Sequence, residues 1–390
     1  MGGNPRHHRL ARIRVIPDWR HKMATQSLRT EVKPQLIPTN AGYRTWAAPP
    51  EALQQEVVPN DLFYIRNHWT DCPQIDINTF RLVVDGEVAT PLSLSMDDIL
   101  GMAQQRFQVT FECCGNSPVP DYWAKATRTG SVMEMIKGHG IMGNAEWAGV
   151  SLSDILARAG VKESAVEVMF EGADHGPDET VGDPPDVTYE RSLPIAKALH
   201  TDTMLAYEMN GEPLPLNHGF PLRLVVPGWY GMNSVKWLVG IHVLDREFKG
   251  FYQTERYMTQ NGPDNPEYYT YHTKMKVKSI ITNPAPGEVI PASGYTLAGA
   301  AWSGEEEVVK VEISADGGST WDLAELAPRA SSYAWFRWQY SWQPPAPGKY
   351  TLMSRATNNL GETQPMEFPN QWDGRGYGNN MVFPVDVLVQ

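Results

Sequence analysis

Cysteine is scarce in this chain, three residues in 390, which excludes a fold stapled together by disulfides. No apolar run approaches the roughly 20 residues that a membrane-crossing helix needs, so no membrane span is expected. There is no Cys-X-X-Cys-His haem attachment, no pair of histidines in a haem-binding context and no flavin fingerprint, so no haem or flavin is expected in the chain. An excess of basic charge is also lacking. Against 33 Lys and Arg stand 45 Asp and Glu, a net −12. Residues 1–33 hold eight Lys or Arg against two Asp or Glu, a local +6 that leaves −18 for the rest. An acidic body argues against nucleic acid as a partner.

The basic start lacks the continuous apolar core and small-residue cleavage site of a secretory signal, and it has no twin arginine. Residues 1–45 are therefore read as a basic tail without assigned function, and the chain as cytoplasmic. Removal of an export signal would make it periplasmic instead.

What is present suits a soluble enzyme-sized protein. Hydrophobic residues make up 42% and charged residues 20%, and 390 residues exceed the size at which one core keeps growing, so two domains are expected. Over residues 46–270 short strands and helices interleave. Residues 80–86 read as a strand entering a turn, and residues 95–100 as a short helix capped by Ser95 with acids in its first turn. Residues 149–160 repeat the pattern, with serines at the N-cap and Gly160 as the stop before a strand at 165–170. Residues 173–187 read as a polar, turn-rich loop. This irregular mixture predicts an α+β domain rather than a doubly wound one.

From about residue 271 the rhythm changes. Residues 309–314 alternate strictly before the Asp-Gly-Gly turn at 316–318, Trp321, Trp335, Trp338 and Trp342 offer bulk for a core, and Gly/Pro turns recur. Several short strands over the remaining ~120 residues predict an immunoglobulin-like β-sandwich over 271–390.

The chemistry centres on residues 109–118, VTFECCGNSP. Alternating apolar residues deliver Cys113 and Cys114 to a strand end, where Gly115 and Asn116 form a turn. A thiolate held there among backbone N–H groups suits a soft metal or nucleophilic catalysis. The same two cysteines could equally be small buried hydrophobes, the commoner fate of a free thiol.

Three other blocks bear on that choice. Phe-Tyr-Ile-Arg-Asn-His occupies 63–68, the run LAYEMNGEPLP at 205–215 leads into HGFPLRLVVPG at 218–228, and Val-Lys-Trp-Leu occupies 235–238. With the Cys-Cys-Gly-Asn block, in this order and spacing, they resemble the sulfite oxidase family of molybdenum enzymes, from about Trp46 to the C-terminus. The resemblance implies an α+β molybdopterin-binding catalytic domain over 46–270 and an immunoglobulin-like dimerisation domain over 271–390, hence a homodimer. It also implies Cys113 as the protein ligand of the molybdenum, with Cys114 packed beneath it. A thiolate is the soft donor such a centre calls for.

For the molybdopterin, the resemblance implies Tyr64, Ile65, Arg66, Asn67, His68, Asp174, His218, Arg223, Ser234, Val235 and Lys236. A buried phosphate needs cations and a pterin needs hydrogen-bond partners, and these residues supply both. Arg66 and Arg375 match arginines that hold the oxyanion substrate, sulfite, and Tyr257 matches the active-site tyrosine, with Tyr252 the alternative. Taken one at a time, Arg223 could pair a local acid and each histidine could be an ordinary core hydrogen-bonder.

The departures from the family pattern concern the substrate pocket. Ser117 and Pro118 stand where the family has Arg-Arg, and the expected tryptophan falls near Lys137. Lys125, Arg128 or Trp123, from an insertion at 119–130, are the expected replacements. The resemblance thus implies oxidation of sulfite to sulfate, with electrons passed to an external one-electron acceptor such as a basic cytochrome c. The alternatives are a molybdenum dehydrogenase acting on another sulfur species, and a non-catalytic binding protein.

Overall fold

A computed structural model describes residues 35–38, 45–116, 140–177, 186–260, 269–367 and 377–390. Arg375, Ser117, Pro118, Trp123, Lys125, Arg128 and Lys137, and most of the basic tail, lie outside them.

Two sheets organise the first half. One runs Glu212–Pro213, Met204–Met209, Met142–Ser151, Gln104–Glu112, with Arg223–Val225 also paired to Met204–Met209. The other runs Leu92–Leu94, Leu82–Gly86, Leu238–Leu244, Glu167–Gly176, Val187–Pro194, and its one parallel pairing joins Leu82–Gly86 to Leu238–Leu244. Helices are few and short among the described residues. Met96–Leu100 begins with a reciprocal cap in which Ser95 Oγ accepts from the Asp98 amide while Asp98 accepts from the Ser95 amide at 2.9 Å. Leu152–Ala159 ends where Gly160 turns left-handed at φ 71°, a conformation that costs a residue without Cβ little.

The second half is a sandwich. Lys278–Asn283, Tyr295–Trp302, Phe336–Trp342 and Glu325–Leu326 form one sheet; Val289–Ile290, Val385–Val389, Gly348–Asn358, Val308–Ser314 and Asp322–Leu323 form the other. Leu297, Val311, Leu352, Trp338 and Trp342 are buried between them, as inward alternation on two facing sheets requires.

Three expectations need correction. Ile37–Pro38 pairs with Trp46 and Ala47, and Leu36 and Ile37 are buried, so the last part of residues 1–45 is built into a sheet rather than hanging as a tail. Ala173–Gly176, read as loop, extends the strand Glu167–Gly176: after an irregularity beyond Glu171 the pairing resumes at His175 with Thr188 and Gly176 with Val187. Of the four tryptophans, Trp335 packs into the core of the first half and donates its indole N–H to Glu56 O at 3.1 Å. Trp321 is half-buried under the guanidinium of Arg355, 4.0 Å from its ring.

The strand Gln104–Glu112 runs along the seam between the two halves. Its last four residues are all buried, because one face meets the first core while the other meets the sandwich. On the sandwich side Thr110 N donates to Tyr333 O at 2.9 Å. That double coverage ends the polar alternation just before Cys113.

Candidate active site

Cys113 emerges from this strand half-buried, while Cys114 is buried, as the sequence implied. A tight turn fixes the pair. Asn116 N donates to Cys113 O at 2.8 Å, Cys113 N donates to Ile141 O at 3.0 Å, and Asn116 Oδ1 accepts the Ile141 amide at 2.9 Å. The Cys113 thiol is drawn down to about 7, first by a hydrogen bond from the Cys114 thiol and further by the Arg66 charge and the Gly115 amide, against its own burial. Burial pushes the Cys114 thiol well up. One sulfur is thus prepared as a thiolate and the other kept as a thiol.

Cys113 opens into a cavity that is open to solvent and holds about 630 Å³ of empty space, solvent at its mouth included. Its walls include Tyr64, Arg66, Asn67, His68, Asp174, His218, Arg223, Ser234, Lys236 and Tyr257, which are residues expected from sequence. Ile65 and Val235 are buried but do not line it, so their side chains are not part of the site. Tyr257 lines it and Tyr252 does not.

Among the described residues the cations here, Arg66, Arg223 and Lys236, make no ion-pair contact with an acid. Arg223, 5% exposed, donates to His218 O at 3.0 Å and Ser234 O at 3.1 Å, and its guanidinium lies over the rings of Phe111 and Trp147. Lys236 donates to Asn67 Oδ1 and to Asn217 O at 2.9 Å. Burial lowers Lys236 to about 7 and Arg223 to about 10, while burial and these two charges lower His218 to about 3 and keep it neutral. Buried charges left in this state call for an anion to complete them.

The one acid of the cavity is Asp174. Burial raises its carboxyl to about 7 against the pull of Lys236, and its Oδ1 has no hydrogen-bond partner. The missing side chain of Gly172 makes room for it, since a Cβ there would sit 2.5 Å from Asp174 Oδ1. In another part of the wall, Tyr257 Oη and His68 Nε2 are 2.8 Å apart, and the His68 ring stacks on Tyr189 with centroids 4.5 Å apart.

These features fit a group with a phosphate at one end, N–H donors that Asp174 could accept, and a soft metal at the thiolate. No cluster of three or more His, Cys, Asp or Glu that could hold a metal occurs among the described residues. A metal bound here would therefore take Cys113 from the protein and its other ligands from the cofactor.

Sequence reading missed Phe63, Phe111, Tyr189, Asn217 and Met232 as walls, and it missed Cys72, whose thiol donates to Asn217 Oδ1 at 3.2 Å behind Lys236. Phe63 and Phe111 lie inside blocks singled out by sequence and Asn217 directly precedes one, while Tyr189, Met232 and Cys72 carry no local signal.

Comparison with known proteins agrees with this chemistry. Residues 69–252 match the oxidoreductase molybdopterin binding domain and residues 269–390 the Mo-co oxidoreductase dimerisation domain. Mitochondrial sulfite oxidase of Homo sapiens is 35% identical over 87% of this chain, which spans 63% of that protein's length. Sulfite oxidase of Gallus gallus is 34% identical over 85% of this chain and 73% of its own. The chain belongs to the sulfite oxidase family. It is a molybdenum oxidoreductase of that family, and molybdopterin is its cofactor. The sulfane dehydrogenase SoxCD from Paracoccus pantotrophus superposes with a TM-score of 0.73 at 25% identity, covering 98% of this chain and 92% of that one.

Proposed function

We propose that the chain, as a homodimer, oxidises sulfite to sulfate, taking the new oxygen from water and releasing two electrons and two protons, the electrons going singly to an external acceptor such as a cytochrome c. The observation that carries this reading is the Cys113 thiol, lowered toward thiolate, facing a cavity whose cations make no ion-pair contact among the described residues. Arg66 lies close enough to act on both Cys113 and Tyr257, so an oxyanion beside the thiolate would meet its guanidinium. Arg223 and Lys236 would hold the cofactor's phosphate, with Asn67 and Asn217 orienting Lys236, and Asp174 would accept the pterin N–H groups. The molybdenum, when bound, supplies the two-electron redox change. Tyr257 Oη, in hydrogen-bond contact with His68, is placed to pass a proton out of the cavity.

A second reading is a dehydrogenase acting on sulfane sulfur. The whole-chain likeness to the Paracoccus sulfane dehydrogenase favours it. Both are tested on purified, molybdenum-loaded chain by following cytochrome c reduction with sulfite and, separately, with a sulfane-sulfur donor. Turnover with sulfite supports the first reading, and turnover with the sulfane donor alone replaces it with the second. A preparation with molybdenum that turns over neither refutes both.

A further inference from the structure

Arg191 is a buried charge that the site described above does not use. It sits in the strand Val187–Pro194 opposite Phe170, is 0% exposed, and does not line the cavity. Its guanidinium donates to Tyr252 O and, at 2.7 Å, to Asn233 Oδ1, while its Nε has no partner. Among the described residues no carboxylate makes an ion pair with it; Glu167 acts on it only at longer range. The guanidinium carbon lies 5.8 Å from the centre of the Tyr257 ring.

Two neutral acceptors do not require an arginine. A glutamine or asparagine could bridge Tyr252 O and Asn233 without desolvating a full charge, and an uncompensated buried cation is costly to a fold. The charge itself therefore calls for a counterpart. Tyr257 stands between Arg191 and the cavity: it lines the cavity, contacts His68, and feels the charge of Arg66 as well. In a low-dielectric interior a charge one ring away from a bound anion acts on it with little screening.

We propose that Arg191 is a positioning residue that acts through Tyr257, holding that ring from behind and adding a buried positive charge to the field that draws an oxyanion into the cavity. This rests on the oxyanion reading of the site given above, but not on sulfite being the natural substrate.

The test separates charge from structure with Arg191→Lys, which keeps the charge, and Arg191→Gln, which keeps a donor without it. Sulfite KM and kcat, and inhibition by sulfate, are measured on molybdenum-loaded chain; melting temperature with and without sulfate is measured on the same samples. Arg191→Gln is expected to raise the sulfite KM and the sulfate inhibition constant about ten-fold, roughly 1.4 kcal/mol, with a smaller effect on kcat. Arg191→Lys should stay within about three-fold, and the sulfate-induced rise in melting temperature should rank the same way. In a Tyr257→Leu background the penalty of Arg191→Gln should shrink, because the route through the ring is gone. Equal losses in Lys and Gln variants that track melting temperature would make Arg191 a structural anchor and overturn the proposal. Should Arg191→Gln fail to fold, Arg191→Met takes its place, and failure of both while Arg191→Lys folds overturns it as well. If wild type does not oxidise sulfite, the proposed activity falls, yet the sulfate-induced shift still decides the role of Arg191.

Discussion

Lys278 Nζ lies 2.7 Å from Glu112 Oε1, and both side chains are almost wholly buried, at 1% and 2% exposure. Glu112 is the residue before Cys113, and Lys278 opens the first strand of the sandwich, so this ion pair crosses the seam next to the thiolate. Its remaining valences are filled. Glu112 also accepts from Trp302 Nε1 at 2.9 Å and Asn116 Nδ2 at 3.2 Å, while Lys278 donates to Asn116 O at 2.8 Å and Asn379 O at 3.1 Å. The cysteine turn is thereby registered against the second domain by charge-assisted bonds that tolerate little displacement.

Removing one partner should therefore be worse than removing both. Lys278→Met strands the Glu112 carboxylate in the interior and is expected to cost about 3–5 kcal/mol. Glu112→Leu combined with Lys278→Met should recover much of that loss, since no charge remains buried. Denaturant unfolding of the three chains measures it; a double variant no more stable than Lys278→Met would contradict the ion-pair account.

The two sulfurs of the turn should differ sharply in the cofactor-free chain. With Cys113 drawn down to about 7, and Cys72 and Cys114 raised by burial, iodoacetamide at neutral pH should modify Cys113 first, with its rate rising through pH 7. In loaded chain Cys113→Ser should lose activity, while Cys114→Ser keeps most of it, because a hydroxyl is a harder and far less acidic donor than a thiol. Peptide mapping of the label, read beside activity, checks both. Preferential labelling of Cys114 would reverse the ligand assignment.

Local signals were the legible ones. The Ser95 cap and the Gly160 stop depend on a few neighbouring residues and appear where the sequence placed them; residues 309–314 form the expected strand, but a register shift after Val308 leaves Val309 exposed. Ala173–Gly176 was misread because its strand character comes from pairing with Val187 and Thr188, not from its own polar, glycine-containing composition. Trp335 was misread for a similar reason, since only the seam decides which core it enters. In the cavity, ionisable residues inside recognisable blocks could be named in advance, whereas Phe63, Tyr189 and Met232 are walls only because distant elements converge. Arg191 was invisible. An arginine in a strand reads as solvent-facing until the fold shows it at 0% exposure.

Arg223 offers a direct test of the phosphate end. Among the described residues it meets carbonyl oxygens and aromatic rings and no carboxylate, which leaves its charge to be matched by an anion. Arg223→Met should reduce cofactor retention by roughly ten- to a hundred-fold, the equivalent of one charged hydrogen bond of about 1.5–3 kcal/mol. Molybdenum per chain after gel filtration measures this. Full retention in the variant would place the phosphate elsewhere.

Asp174 should leave a pH signature in the cofactor-free chain. Its carboxyl is raised from 3.8 to about 7, chiefly by burial, so the folded state holds a proton that the unfolded chain releases more readily. A raised acid contributes its full stability below the unfolded value and loses it as pH rises through the folded one. The contribution should thus fade between about pH 4 and pH 7, by at most about 4 kcal/mol at 1.36 kcal/mol per unit. Lys236 acts in the opposite sense in a different window. It is depressed to about 7, so its contribution is lost as pH falls from about 10.5 toward 7. Between pH 4 and 7 the depressed His218 and His272 act against the carboxylate, so Asp174 is read from the difference between wild type and Asp174→Asn. Asp174→Asn, which cannot ionise, should gain stability over wild type across that interval while matching wild type near pH 4. Bound cofactor should shrink that gain, because pterin N–H groups would give the ionised carboxylate the partners that Oδ1 lacks. Denaturant midpoints at pH 4.5 and 7, for wild type and variant with and without cofactor, measure all of this. No gain in Asp174→Asn would place the titrating group elsewhere, and an undiminished gain in the loaded chain would remove Asp174 from the pterin contacts.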